Sequence, residues 1–377
     1  MILSGVRTTG IQFYFPDEER AVLKKIRYRG RNGLRAYRHW FVPYFYSLVY
    51  SNRFRPVLCY LYTDWKCNID CHYCWQYNNT LPGMTLETAK SSIDWLKSVG
   101  CRVVALMGGE PLVRRDFILD VIRYGHEQGF FMYLPTNGYL MDEEFVNEAG
   151  QAGVTAVNLA VDCVAPRKGL PKALLAVEPQ FRYLVEQRKR WGYMVFFNIN
   201  ICRTNIRDVK LLTEIARQNG IGTDYHLNEA PQQVADIEHF KHPEFDLGIT
   251  PNEYDEVDEL LDWIIARQRE GWCMVNSISH LQAMKERMRG RIFPWECRAG
   301  HNGALIRPDG TLSPCFDLIT YDHDWGRIWE HRFDHDAMRT VRESCLAKCS
   351  STCYHTMASY YSMRTIPQWI GKHTQMG

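Results

Sequence analysis

From residue 57 to about residue 270, short runs of β-branched and aromatic residues alternate with longer stretches in which apolar positions recur at the helical period. The short runs predict strands at Val57–Thr63, Val103–Met107, Phe130–Leu134, Ala156–Val161, Met194–Ile201 and Thr223–Leu227. The periodic stretches predict helices at about Thr85–Ser98, Arg115–Gln128, Asp142–Ala152, Pro171–Trp191, Ile206–Asn219 and Pro251–Glu270. A helix between two strands carries the chain back to its starting end, so the strands run parallel. Six such units predict an α/β fold, a partial (βα)6 TIM-like barrel. The punctuation agrees with the period. Thr85, with Glu87 and Thr88 after it, suits a helix start, and Gly100, Gly129, Gly153, Gly192 and Gly220 each follow a helical stretch where a terminating glycine belongs.

Outside this region the pattern changes. Residues 229–249 are polar and irregular and predict a long connection. After Gly290 the chain becomes turn-rich and cysteine-bearing, with Asp309-Gly310 placed as a hairpin turn between Ala304–Arg307 and Thr311–Leu312. Three regions follow: an arm over 1–56, a barrel over 57–290 and a small domain over 291–377. With 377 residues, 46% of them hydrophobic and 23% charged, the chain has the composition of a globular protein rather than a disordered one. It has no apolar run of about 18 residues and no secretory leader pattern, which predicts a cytoplasmic protein. The net charge of +2 hides an asymmetry, because residues 1–56 hold eleven Lys/Arg against three Asp/Glu. Eight of those cations lie between Arg20 and Arg38, directly before the aromatic segment His39–Tyr50. The first reading of this arm is a helix across the barrel's open bottom. Peripheral contact with an anionic membrane comes second and nucleic acid last.

The thirteen cysteines add the chemistry. Cys59, Cys101, Cys163, Cys202 and Cys273 stand apart in strand or helix patterns and read as packed thiols. Cys67, Cys71 and Cys74 crowd together, and Cys297, Cys315, Cys345, Cys349 and Cys353 lie near the C-terminus. The first group directly follows the first strand, so it falls on a loop at the strands' C-terminal ends, where parallel barrels place their chemistry. A mononuclear structural zinc usually takes four ligands, whereas three sulfurs on a four-iron cluster leave one iron free to hold a substrate or cosubstrate.

The stretch Cys67-Asn-Ile-Asp-Cys71-His-Tyr-Cys74, with Tyr73 before its last cysteine, is followed by Gly108-Gly109-Glu110-Pro111 and by Thr136-Asn137-Gly138. In this order and spacing the residues resemble the radical S-adenosylmethionine (radical SAM) enzymes, over roughly residues 57–230. The resemblance implies that Cys67, Cys71 and Cys74 hold a [4Fe–4S] cluster and that S-adenosylmethionine chelates its free iron. An electron from a donor such as flavodoxin or ferredoxin would then release a 5′-deoxyadenosyl radical, which abstracts a hydrogen or adds to the substrate. It also implies that Gly108, Gly109 and Glu110 lie near the methionine ammonium, with Tyr73 by the adenine. Asn158, Asp162, Asn198, Asn200, His226 and Asn228 are candidates for ribose, carboxylate or substrate contacts, or else form a hydrogen-bonded barrel interior. A base for an oxidation could be His226, His301 or Asp317.

Gly310-Thr-Leu-Ser-Pro-Cys315, Gly326-Arg-Ile328 and the final CxxxCxxxC resemble the SPASM or twitch extension of the same superfamily. That implies an auxiliary [4Fe–4S] cluster on Cys297, Cys315 and two of Cys345, Cys349 and Cys353, with a zinc ribbon as the competing reading. The layout of arm, barrel and C-terminal cysteines also resembles adenosylhopane synthase-like members, which implies a small-molecule or lipid-like substrate. Two alternatives stand beside it: a peptide-modifying enzyme of the superfamily, and a non-catalytic zinc-binding interaction protein.

Overall fold

The computed structural model describes residues 30–50, 53–74, 77–228, 247–291, 295, 297–319, 324–333, 335–345, 351 and 354–355. Strands β1 (Leu58–Asp64), β2 (Val103–Gly108), β3 (Phe131–Thr136), β4 (Ala156–Ala160), β5 (Met194–Ile201) and β6 (Gly222–Leu227) pair in chain order, all parallel. The expected α/β architecture is present. Both faces of the sheet are buried, which is why the strands read as continuous apolar runs. On β5, Val195, Phe197, Ile199 and Ile201 pack outward in the main core, while Met194, Phe196, Asn198 and Asn200 alternate inward.

The outer layer comprises α2 (Leu86–Ser98), α3 (Arg115–Glu127), α4 (Glu143–Ala152), α5 (Glu178–Trp191) and α6 (Ile206–Gln218), after α1 (Val42–Val49) in the arm. Thr85 caps α2 by accepting from Thr88 N at 3.1 Å. Gly153 and Gly192 end α4 and α5 in the left-handed conformation, at φ 95° and 74°. The helix expected from Pro171 starts only at Glu178, because Lys172 and Ala173 first pair with Asp162 and Cys163 just beyond β4 and 174–176 form a short turn. Asp162 N and Cys163 N both donate to Lys172 O, and Pro179 then opens the helix.

An open barrel leaves β6 as an edge. Residues 273–276, between α7 (Tyr254–Arg269) and α8 (Ile278–Met288), cover it. Asn276 has no exposed surface, and its amide mimics a neighbouring strand, accepting from Tyr225 N at 2.8 Å and donating to Tyr225 O at 2.9 Å. The other edge is extended. The expected hairpin forms β7 (Gly303–Ile306) and β8 (Leu312–Ser313), and β7 pairs parallel to β1, so the cysteine-bearing region continues the barrel's own sheet. A last helix, α9 (His335–Cys345), follows.

Residues 30–36 are helical and lead through a π turn at Tyr37–Phe41 into α1. This helix lies at the N-terminal ends of the strands. Arg35 Nη1 donates to Gly192 O at 2.6 Å, and the Trp40 ring meets Phe131 at 5.8 Å. Leu34, Tyr37, Phe45 and Tyr46 face outward. Residues 229–246 of the expected long connection lie outside the described residues. No helix among the described residues is long and apolar enough to cross a membrane.

Candidate active site

The loop after β1 carries Cys67, Cys71 and Cys74 and is tied to the ends of four strands. Asp64, at the end of β1, accepts from Lys66 N at 2.9 Å, and its backbone carbonyl accepts from Gly109 N at 2.9 Å. Glu110 N donates to Lys66 O at 2.7 Å, fastening the loop to the end of β2. Asn137, after β3, donates from Nδ2 to Asn68 Oδ1 at 2.8 Å. Tyr73 Oη donates to Asp162 Oδ2 at 2.5 Å, and His72 N donates to Gly169 O, both beyond β4. The loop is thus held over the mouth of the barrel.

Gly108 and Gly109 serve this crossing. A Cβ at Gly109 would fall 2.2 Å from Lys66 O, and one at Gly108 would fall 2.4 Å from Asp64 O. Only glycine lets the two backbones pass so closely. Glu110 is 1% exposed and already engaged: Oε1 accepts from Leu112 N at 3.0 Å and Thr136 Oγ1 at 2.7 Å, and Oε2 accepts from Asn137 N at 2.8 Å. Burial raises its pKa against the pull of these bonds. Its carboxylate therefore orders the Thr136-Asn137-Gly138 turn, a role the motif alone does not reveal.

Burial pushes the Cys67 thiol up to about 11 and the Cys71 thiol higher still, and each thiol is raised further by Cys74. Lys172 opposes the rise at both thiols. Its ammonium stands 5.3 Å from the Tyr73 ring centroid. Burial lowers its pKa, but Cys71, Asp162, Cys74 and Cys67 together raise it well above the usual lysine value. Asp162 is buried, and desolvation raises its pKa while Lys172, Tyr73 and Asn200 oppose the rise. Asn205, unremarkable in the sequence, donates from Nδ2 to Asp162 O and Asn200 O, each at 2.7 Å, locking the ends of β4 and β5 together.

Below the loop, Asn158, Asn198, Asn200 and His226 all face the barrel interior, joined by Asp224. His226 Nε2 lies 3.2 Å from Asn198 Nδ2 and 3.5 Å from Asp224 Oδ2. Asn228 ends the band at the top of β6, donating to Ile201 O at 2.8 Å. His301 is elsewhere: its carbonyl accepts from Arg55 N ahead of β1, at the opposite end of the barrel. The side chain of Asp317 lies outside the described residues.

Cys315, at the end of β8, and Cys297 pack with Tyr60, Phe316 and Tyr354 in the inward-facing cluster, and Cys345 closes α9. Cys349 and Cys353 lie outside the described residues. Cys59, Cys101, Cys163 and Cys202 are buried thiols, and Cys273 is half-buried beside the inward cluster.

The donor set can be weighed directly. Cys67, Cys71 and Cys74 supply three sulfur donors from one loop, one fewer than a structural tetrahedral zinc usually takes. Three thiols on one anchored loop beside the half-buried Lys172 are a donor set that would suit an iron–sulfur cluster. Such a loop above a parallel barrel defines an enzyme site at the strands' C-terminal ends.

Residues 66–191 match the radical SAM superfamily. That stretch holds the cysteine loop and strands β2 to β4 and is recognised as a radical SAM domain. It is similar to the AdoMet-dependent heme synthase of Methanosarcina barkeri, 27% identical over 313 residues that cover 75% of this chain and 84% of the relative. It is also similar to the Fe-coproporphyrin III synthase of the same organism, 26% identical over 181 residues covering 46% of this chain and 44% of that one. Among solved structures, Streptococcus suis SuiB bound to S-adenosylmethionine superposes with a TM-score of 0.60 at 14% identity, covering 81% of this chain and 74% of SuiB. That likeness is one of fold.

Proposed function

We propose that the chain cleaves S-adenosylmethionine reductively and uses the resulting radical to modify a small-molecule or lipid-like substrate held in the barrel. The observation that carries this reading is the anchored loop of Cys67, Cys71 and Cys74 directly above the inward polar residues of β4, β5 and β6. A [4Fe–4S] cluster on these thiols would supply one-electron cleavage of the sulfonium, with the cosubstrate on its free iron. The chain's own residues do the rest. Gly108 and Gly109 bring the backbone of β2 against the cysteine loop, and Glu110 fixes the turn beside it. Asp162 holds Tyr73, and Lys172 balances the negative charge of the thiolates.

The test is anaerobic reconstitution followed by dithionite and S-adenosylmethionine, with 5′-deoxyadenosine or a covalent adenosyl product measured by mass spectrometry. The wild type should form one of them, and Cys67→Ala, Cys71→Ala and Cys74→Ala should form neither. Iron-loaded wild type that consumes no S-adenosylmethionine would refute the reading. The C-terminal cysteines support an auxiliary cluster in the same proposal, so reconstitution should yield roughly eight irons per chain rather than four. A tetrapyrrole substrate is a second reading, favoured by the match along 75% of the chain to a relative named for haem synthesis. Added iron porphyrin should then stimulate 5′-deoxyadenosine release.

A further inference from the structure

The outer face of the arm is apolar where a helix lying across a barrel is ordinarily polar. Among the described residues twelve large hydrophobic side chains are exposed, and six of them, Leu34, Tyr37, Phe45, Tyr46, Val49 and Tyr50, lie on this one helical segment. Leu34 is 67% exposed, Val49 58% and Phe45 50%. The opposite face is spent on the barrel, where Ala36, Tyr44 and Ser47 are buried. The outer rings pack among themselves, Tyr37 stacked on Phe41 at 5.4 Å and Phe45 edge-on to Tyr46 at 6.5 Å. An apolar surface gathered in this way, rather than scattered, marks a contact.

Charge selects what makes that contact. Between residues 30 and 63 the chain has five arginines, Arg31, Arg35, Arg38, Arg53 and Arg55, and no Asp or Glu. Arg31 and Arg38 are exposed on the same segment as the aromatic side chains, and Arg53 and Arg55 stand over the Tyr50 ring at 5.9 and 5.4 Å. The end of α5, beside the Gly192 carbonyl that Arg35 holds, adds exposed Lys189 and Arg190 against Glu186. A second copy of the chain would bring arginines against arginines. A polynucleotide would use the cations and leave Leu34, Phe45 and Val49 in water. An anionic bilayer surface meets both features: its headgroups face the arginines, its acyl boundary takes Leu34, Phe45 and Val49, and tyrosine is at home between the two.

We propose that the arm is a membrane-docking helix that lies in the surface of an anionic bilayer. No helix among the described residues is long and apolar enough to cross it, so the contact runs along the surface. Docking turns the N-terminal ends of the strands toward lipid. The cysteine loop is at the other end of β1, seven residues away, so the mouth of the barrel stands roughly 20 Å further from the bilayer and opens to water. This assignment is independent of the proposed radical function.

The experiment is flotation of the full chain with vesicles of equimolar phosphatidylglycerol and phosphatidylcholine, and with vesicles of phosphatidylcholine alone. Binding to the anionic vesicles should exceed binding to the neutral ones by about tenfold or more and fall in molar salt. Leu34→Ser combined with Phe45→Ser should weaken it about tenfold with the melting temperature unchanged, because both side chains are exposed. Arg38→Glu should weaken binding to anionic vesicles about tenfold and leave neutral vesicles unaffected. Phe45→Trp should tighten binding, a gain that misfolding cannot mimic. Equal binding to the two kinds of vesicle, no binding to either, or anionic binding that survives the Leu34 and Phe45 changes overturns the proposal. A dimer broken by Phe45→Ser, or a polynucleotide complex, formed without vesicle binding overturns it in favour of those partners. Flotation needs neither cluster nor cosubstrate, so a chain that floats but does not cleave S-adenosylmethionine loses the radical function and keeps the docking helix.

Discussion

Replacing Gly109 by Ala tests whether the crossing of the β2 turn and the cysteine loop holds the site. The backbone conformation at Gly109 is open to alanine, so only space is at issue. The new Cβ would lie 2.2 Å from Lys66 O, 2.5 Å from Lys66 C and 2.8 Å from Trp65 O, where contacts under 3.0 Å essentially do not occur. The loop must therefore open by about 0.8 Å, and every atom met is backbone, with no flexible end to swing aside. Opening it strains the 2.7 Å bond from Glu110 N to Lys66 O, immediately before Cys67. Overpacking of this kind costs about 1–3 kcal/mol, with displacement concentrated on the residue that precedes Cys67. Gly125→Ala is the control. Its Cβ would fall a similar 2.3 Å from Met132 Sδ, but that is a flexible side chain that can rotate away. We expect Gly109→Ala to retain its circular dichroism spectrum yet lose most reconstituted iron and sulfide, whereas Gly125→Ala keeps them. Equal iron loading in the two variants would show that the close crossing does not position the loop.

Glu110→Gln puts an amide where a buried carboxylate receives three donors, so it should lower stability to urea by about 2–3 kcal/mol. An unchanged unfolding midpoint would dismiss that account. Asn276→Ala bares the β6 edge and leaves the Tyr225 N–H and C=O unpaired, which should cost about 2–4 kcal/mol in the same assay. His39, under the barrel, has its pKa lowered chiefly by burial. The folded chain then binds this proton less readily than the unfolded one, so the contribution is intact above the usual histidine pKa and fades as pH falls below it. Melting temperatures compared at pH 7.5 and 5.5 should fall less in His39→Phe than in wild type, and parallel falls would remove His39 as a cause.

The strands and most helices were legible because burial on both faces of a parallel sheet writes apolar runs, and packing of helices against it writes the 3.6-residue period. The start of α5 was not, since Lys172 and Ala173 are recruited to pair with Asp162 and Cys163 beyond β4 before the helix begins. The arm was read by charge, and the contacts of Arg35 and Trp40 place it at the strands' N-terminal ends. Asn158, Asn198, Asn200 and His226 stand out in the sequence as polar residues within otherwise apolar strands. Asp224 occupies the same inward register, but an acidic residue suits a solvent-exposed strand position equally well, so the sequence does not mark it.

The sequence by itself determined the repeating βα order and the cysteine spacing, because both rest on neighbours within one element or one loop. Only the tertiary structure decided what those cysteines stand against. Tyr73 meets Asp162 across 89 positions, Asn137 meets Asn68 across 69, and Glu110 spends its carboxylate on a turn 27 residues away. Such pairs are created when parallel strands bring their ends to one rim, and no local period records which side chains then share it.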